Sequence, residues 1–144
     1  MIPVVVDASV AAKWVLPAEG ETLTEQAAGW LRRYVQGEVR FVVPDLFWPE
    51  MANLLWKAVQ QGRCVRGDAE SALMGLADRK LPTVSSVPLL SMAFQIAMEY
   101  RRTVYDSLYV ALAVRVNGQL ITADESLADA LAARFSVKWL GAVP

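Results

Sequence analysis

Short apolar runs recur along this chain, and stretches of helical periodicity fill the gaps between them. IPVVV at 2–6 is unbroken in the way of a strand covered on both faces, with Pro3 tolerable so near its start. VRFVVP at 39–44, a segment around Thr83 to Val87, QLIT at 119–122 and SVKWL at 136–140 predict further strands. Ala8 to Leu16 predicts a short helix stopped by Pro17. From Glu21, residues Leu23, Ala27, Trp30, Leu31 and Tyr34 keep helical spacing up to Gly37. DLFWPEMANLLWKAVQQG predicts a helix with Asp45 as its cap, Pro49 in its first turn and Gly62 as its stop. Residues 67–79, the run PLLSMAFQIAMEYRR opened by Pro88, YDSLYVALAVRVNG ended by Asn117-Gly118, and ESLADALAARF predict four more. Strand and helix alternate throughout. Parallel neighbours need crossovers, and crossovers cover both faces of a sheet, so the pattern predicts an α/β fold: a mostly parallel sheet between two helical layers. With no internal repeat and no linker-like boundary, residues 1–144 read as a single domain.

Composition narrows the chemistry. Hydrophobic residues make up 55% of the 144 positions, yet no apolar run reaches the ~18 residues a membrane span needs. Neither a secretory leader nor a disulfide is in view, since Cys64 has no partner, and the expectation is a soluble protein of the reducing cytoplasm. The chain contains no histidine. That excludes Ser-His-Asp and Cys-His nucleophiles, histidine-ligated zinc and imidazole acid–base catalysis. What remains is carboxylate, hydroxyl, lysine, arginine or metal chemistry. The net charge of -1 does not announce a nucleic-acid binder, but acids committed to cations would leave the rest of the chain net basic.

Ligands of such folds bind outside the carboxyl ends of the strands, and acids stand there. Asp7 follows VVV and Asp124 follows LITA, each directly before a helix. Glu50 falls in the first turn of the helix after VRFVVP, and Asp106 begins YDSLYVALA. Taken singly, each has a structural reading as a cap or a first-turn acid favouring the helix dipole. As a set they lack an equivalent explanation, because no Lys or Arg takes a matching position. Carboxylates held together in a cleft repel unless protons or cations compensate them, and oxygen ligands alone select hard ions, Mg²⁺ or Mn²⁺. Ser9, Thr122 and Asn53 are candidates for supporting roles: a hydroxyl two positions after Asp7, a strand neighbour of Asp124, and a polar residue on the helix face of Glu50. Each also has a plain reading, as helix-start hydroxyl, β-former and solvated amide. Asp129 reads as an exposed helix acid, and the Trp residues as core or interface. Lys13, Arg63, Arg66, Arg101 and Arg102 do not resolve into an RNA-binding patch.

Taken in order, VVVDASVAAKWVLP, PDLFWPEMANLLWKA, YDSLYVALA and LITADESL resemble the successive motifs of the PIN-domain family, and within it the VapC-type toxins of prokaryotic toxin–antitoxin pairs. The resemblance spans nearly the whole chain. It implies an α/β/α sandwich and a Mg²⁺- or Mn²⁺-dependent endoribonuclease, with Asp7, Glu50, Asp106 and Asp124 as the acidic quartet. Asp7 and Asp106 would hold the metal directly, Glu50 and Asp124 would complete its shell, and metal-activated water would hydrolyse RNA to a 5′-phosphate and a 3′-hydroxyl. It further implies a small antitoxin partner and frequent homodimers. A silent PIN-like protein-binding module and a DNA- or structure-directed nuclease of the same fold stay open as alternatives. Haloacid-dehalogenase chemistry needs an acid where Ser9 stands, a receiver domain needs an acidic pair after Val6, and no glycine-rich nucleotide loop is present.

Overall fold

A computed structural model describes residues 1–142; Val143 and Pro144, the end of the predicted domain, lie outside the described residues. Five strands form one parallel sheet: β1 (Ile2–Val6), β2 (Val39–Pro44), β3 (Thr83–Val84), β4 (Gln119–Thr122) and β5 (Val137–Trp139), in the order β3-β2-β1-β4-β5. The helices are α1 (Ala8–Val15), α2 (Thr24–Val35), α3 (Phe47–Gln60), α4 (Arg66–Asp78), α5 (Leu90–Tyr100), α6 (Val104–Arg115) and α7 (Glu125–Leu131). Right-handed crossovers assign α1–α4 to one face and α5–α7 to the other, giving the three layers that the alternation predicts. No helix among the described residues is long and apolar enough to cross a membrane.

β1 is central because its sequence permits nothing else: Val4, Val5 and Val6 are each 0% exposed, paired through Val5 with Val42 on one side and Leu120 on the other. α6 lies across β1, β2 and β4 under a cover of α5. Its residues Ser107 to Ala113 are all buried, so its apolar residues run all round the helix rather than in a stripe. The chain leaves β1 towards β2 and β3, then returns past it to β4 and β5. The crevice above the carboxyl ends of β1 and β4 is therefore the switch point of the sheet, where open α/β folds place their ligands.

Some boundaries differ from the sequence reading, for local reasons. Asp45 does not cap α3, whose N-cap is Leu46 with no side-chain bond; its carboxylate instead accepts the Ser86 N–H at 3.2 Å. This bond turns the chain out of the sheet, so the strand expected over Thr83 to Val87 ends at Val84 and a 3₁₀ turn follows at Val87–Leu89, with Pro88 inside it. The second helix begins at Thr24 rather than near Glu21. Leu23 takes a left-handed conformation (φ 59°), and Glu21 is held in the preceding loop by Lys13 at 3.2 Å and Arg63 at 2.6 Å. Burial works against the ionised Glu21 carboxyl, but these two cations outweigh it and keep its pKa below the usual range. At the end of α6, Asn117 and not Gly118 adopts the left-handed conformation (φ 53°). Gly118 answers a different demand: a Cβ there would meet the Pro3 carbonyl oxygen at 2.3 Å. Trp14 stacks on Phe41 and Trp30 is buried, as core aromatics should be, whereas Trp56 is exposed.

Candidate active site

The strand tips hand over two carboxylates directly. Asp7 follows β1 as the N-cap of α1, and its Oδ1 accepts the Ser9 N–H at 3.3 Å. Asp124 follows β4 as the N-cap of α7, and its Oδ1 accepts the Leu127 N–H at 3.1 Å. Capping thus occupies one oxygen of each acid and leaves the second turned to other partners. Thr122, fully buried at the end of β4, joins the pair: its hydroxyl donates to Asp7 Oδ2 at 2.7 Å and accepts the Asp124 N–H at 3.1 Å. Ser9 closes the same junction by accepting the Ala123 N–H at 3.1 Å through its hydroxyl.

Two helices bring the other acids. α3 begins where β2 ends, so Glu50 in its first turn stands over the carboxyl edge of the sheet. α6 runs back down towards the start of β4, which puts its N-terminus at that same edge. Thr103 caps α6 by accepting the Asp106 N–H at 3.0 Å, and Asp106 follows in the first turn. One turn further along, Tyr109 donates its hydroxyl to Glu50 Oε1 at 2.5 Å, a bond across 59 positions of sequence that ties α6 to α3.

The electrostatics link these acids. Burial pushes the Asp7 carboxyl above its ordinary value despite the bonds from Thr122 and Ser9, and the charge of Asp106 adds to the rise. Glu50 is raised by burial first, partly offset by Tyr109, and then by the charges of Asp7 and Asp106. Asp106 is raised by burial and by Asp124, against the pull of Arg102. Tyr109 is driven far above the usual phenol range, chiefly by burial and then by Asp7 and Glu50, so it keeps the proton it donates to Glu50. Carboxylates that raise one another in this way are short of positive charge.

One cation reaches them. The Arg102 Nη2 lies 3.6 Å from Asp106 Oδ2 and 3.4 Å from Asp124 Oδ2, while Nη1 donates to the Ser126 hydroxyl at 3.3 Å. Among the described residues, no three His, Cys, Asp or Glu side chains form a ready-made ion cage. The donor set still suits a hard divalent ion: oxygen ligands only, at the switch point, with a charge deficit a cation would relieve.

Asn53 stands apart, exposed and without a side-chain bond to any of the four acids, and Asp129 is exposed on α7. Sequence reasoning missed Tyr109 and Arg102 as members of the cluster. Their only signal is spacing from Asp106: Tyr109 lies three residues after it on the same helical face, and Arg102 lies four before it in the link that leads into α6.

Comparison with known proteins places the chain in a family. Residues 4–131 match the PIN domain. The chain is 35% identical over 127 residues to Ribonuclease VapC3 of Pyrobaculum aerophilum, covering 87% of this chain and 92% of that protein. Among solved structures, PAE2754 from Pyrobaculum aerophilum superposes with a TM-score of 0.69 at 22% identity, covering 96% of this chain and 84% of the other. VapBC2 from Rickettsia felis, bound to a DNA fragment from its promoter, superposes at 0.67 and 8% identity over 96% and 98% of the two chains. The chain that builds this acidic junction at the switch point of a five-stranded parallel sheet belongs to the PIN-domain family, in its VapC branch.

Proposed function

We propose that the protein is a Mg²⁺- or Mn²⁺-dependent endoribonuclease, the toxin of a toxin–antitoxin pair. The observation that carries this reading is the hydrogen-bonded junction at the carboxyl edge of β1 and β4: the Thr122 hydroxyl joins Asp7 to the Asp124 backbone, Arg102 lies against both Asp106 and Asp124, and Tyr109 of the Asp106 helix holds Glu50. Its relative VapC3 is a ribonuclease by name. Asp7 and Asp106 would hold the ion, with Glu50 and the free oxygen of Asp124 completing the shell or orienting water. The chemistry such an ion supplies when bound is to make water more acidic and to neutralise phosphate charge, so no imidazole is required. The chain's own groups do the positioning. Thr122 and the Ser9 N–H fix the plane of Asp7, the Leu127 N–H fixes Asp124, and Tyr109 holds one oxygen of Glu50, leaving its other for the site.

Partners follow from the surface. Between α3 and α4 an apolar groove of about 340 Å³ is lined by Leu55, Trp56, Val59, Ala69 and Leu73. It suits the apolar face of an antitoxin's amphipathic segment. On α5, Leu90, Phe94 and Met98 expose a stripe at a spacing of four residues, suited to a second copy of the chain. The decisive assay incubates labelled RNAs with purified protein in Mg²⁺, in Mn²⁺ and in EDTA, alongside Asp106→Asn. Cleavage should require the ion and fall by two orders of magnitude or so in the variant, the loss expected when charge stabilisation of the reaction is removed. Cleavage that survives EDTA would overturn the metal mechanism, and no cleavage of any RNA would favour a module kept for protein binding.

A further inference from the structure

We propose that Arg102 is a counter-cation built into the carboxylate cluster, which must release Asp106 or Asp124 before a divalent ion can be ligated there, and which thereby sets the protein's affinity for that ion. This inference rests on the metal-site reading above and adds a residue that acts against the ion.

The geometry is specific. A single terminal nitrogen of the guanidinium faces Oδ2 of both acids, at 3.6 and 3.4 Å. Asp124 Oδ2 is the oxygen that capping leaves free, since Oδ1 is taken by the Leu127 N–H. Arginine and ion therefore compete for the same atom. The side chain is only 20% exposed, and its Nε is buried without a hydrogen-bond partner. A buried donor left unpaired has a cost that a rearranged guanidinium can recover. The resting pose is thus a compromise, held by the two carboxylates and one bond to Ser126.

The backbone also delivers Arg102 to this spot. Arg101 ends α5 in a left-handed conformation (φ 56°), and Thr103 caps α6 directly afterwards. Arg102 sits between the two helices and four residues before Asp106, so its side chain is aimed along the first turn of α6. A divalent ion placed at the same carboxylates would repel it and draw away its ligands. Removing the guanidinium should then tighten ion binding. A residue that merely held the acids in place would give the opposite sign, because losing a supporting partner weakens a metal site.

Calorimetric titration of Mn²⁺ into wild type, Arg102→Met and Arg102→Lys, with thermal melts of each in EDTA, tests this. Arg102→Met should bind Mn²⁺ on the order of tenfold more tightly, the gain expected when a like charge a few ångströms away is removed, and melt lower in EDTA, and Arg102→Lys should fall between. Equal or weaker binding by Arg102→Met would overturn the proposal. Should wild type and variants alike take up no Mn²⁺, the metal-site reading itself fails, and this inference with it. A measurement on the unaltered protein guards against a variant that does not fold: the Arg102 Nε–H resonance should shift when Mg²⁺ is added to saturation, and a resonance that stays in place would also overturn the proposal.

Discussion

The structural and the catalytic readings of an acid are not rivals at the level of single oxygens. Asp7 and Asp124 both cap helices, and each does so with Oδ1, keeping Oδ2 for Thr122 or Arg102. This is why sequence could place both acids but could not choose between cap and ligand for either. Thr122 was legible only as a strand neighbour; its double bond is a product of the β1–β4 register, in which Val6 faces Ile121. Thr122→Val keeps shape and β-propensity but leaves the Asp124 N–H and an Asp7 oxygen unpaired, and should cost about 1–3 kcal/mol per orphaned group. Chemical denaturation should show that loss, with Thr122→Ser retaining most of the stability. The raised carboxyls fix a pH dependence as well. A carboxyl whose folded pKa lies above its unfolded value contributes stability that is fully present below the unfolded value and is lost as pH rises through the folded one. For Glu50, whose ordinary value is 4.5, that contribution is complete below about pH 4 and is lost as pH rises through the elevated folded value. Glu50→Gln, which can still accept from Tyr109, should therefore melt higher than wild type at pH 7.5 in EDTA, with the gap closing towards pH 4. A gap that widens with acid would contradict the assigned direction.

Element boundaries were readable wherever local chemistry alone decides them. IPVVV could only be an interior strand, and the helix of Asp106 announces itself by an apolar run too long and too even for a surface helix. Misplacements arose where a distant group intervenes: Asp45 reaching Ser86, or Lys13 and Arg63 holding Glu21 out of α2. Tyr109 and Arg102 were illegible for the same reason. Helical spacing shows which residues share a face with Asp106, but not which way that face turns or that Glu50 waits opposite. The loop into β4 makes a sharp prediction at this scale. Gly118→Ala would press a Cβ against the Pro3 carbonyl oxygen and must shift either β1 or the start of β4. A loss of about 1–3 kcal/mol in denaturant titration should follow, accompanied by weaker activity, because the strain enters the strand that ends in Asp7.

For the whole molecule, the decisive feature is topological. Connections that leave β1 in one direction and reach β4 from the other open a crevice at their shared end, and all four acidic segments terminate there. Alternation of strand and helix made the layers legible, yet strand order is a property of the folded chain and was not legible in the sequence. The surplus of apolar residues has a visible outlet in the α5 stripe and the α3–α4 groove. Met98→Lys should reduce self-association, read as mass by light scattering, while Trp56→Asp should spare self-association and weaken antitoxin capture; the reverse outcome would exchange the two surfaces. Beneath these assignments lies the claim that Asp7, Glu50, Asp106 and Asp124 share one hard cation. Its most direct test is anomalous diffraction from crystals soaked in Mn²⁺. The account predicts a peak at ligand distance from oxygens of Asp7 and Asp106, with Arg102 turned away from Asp124; a peak elsewhere, or none at any Mn²⁺ concentration that the crystals tolerate, would contradict it.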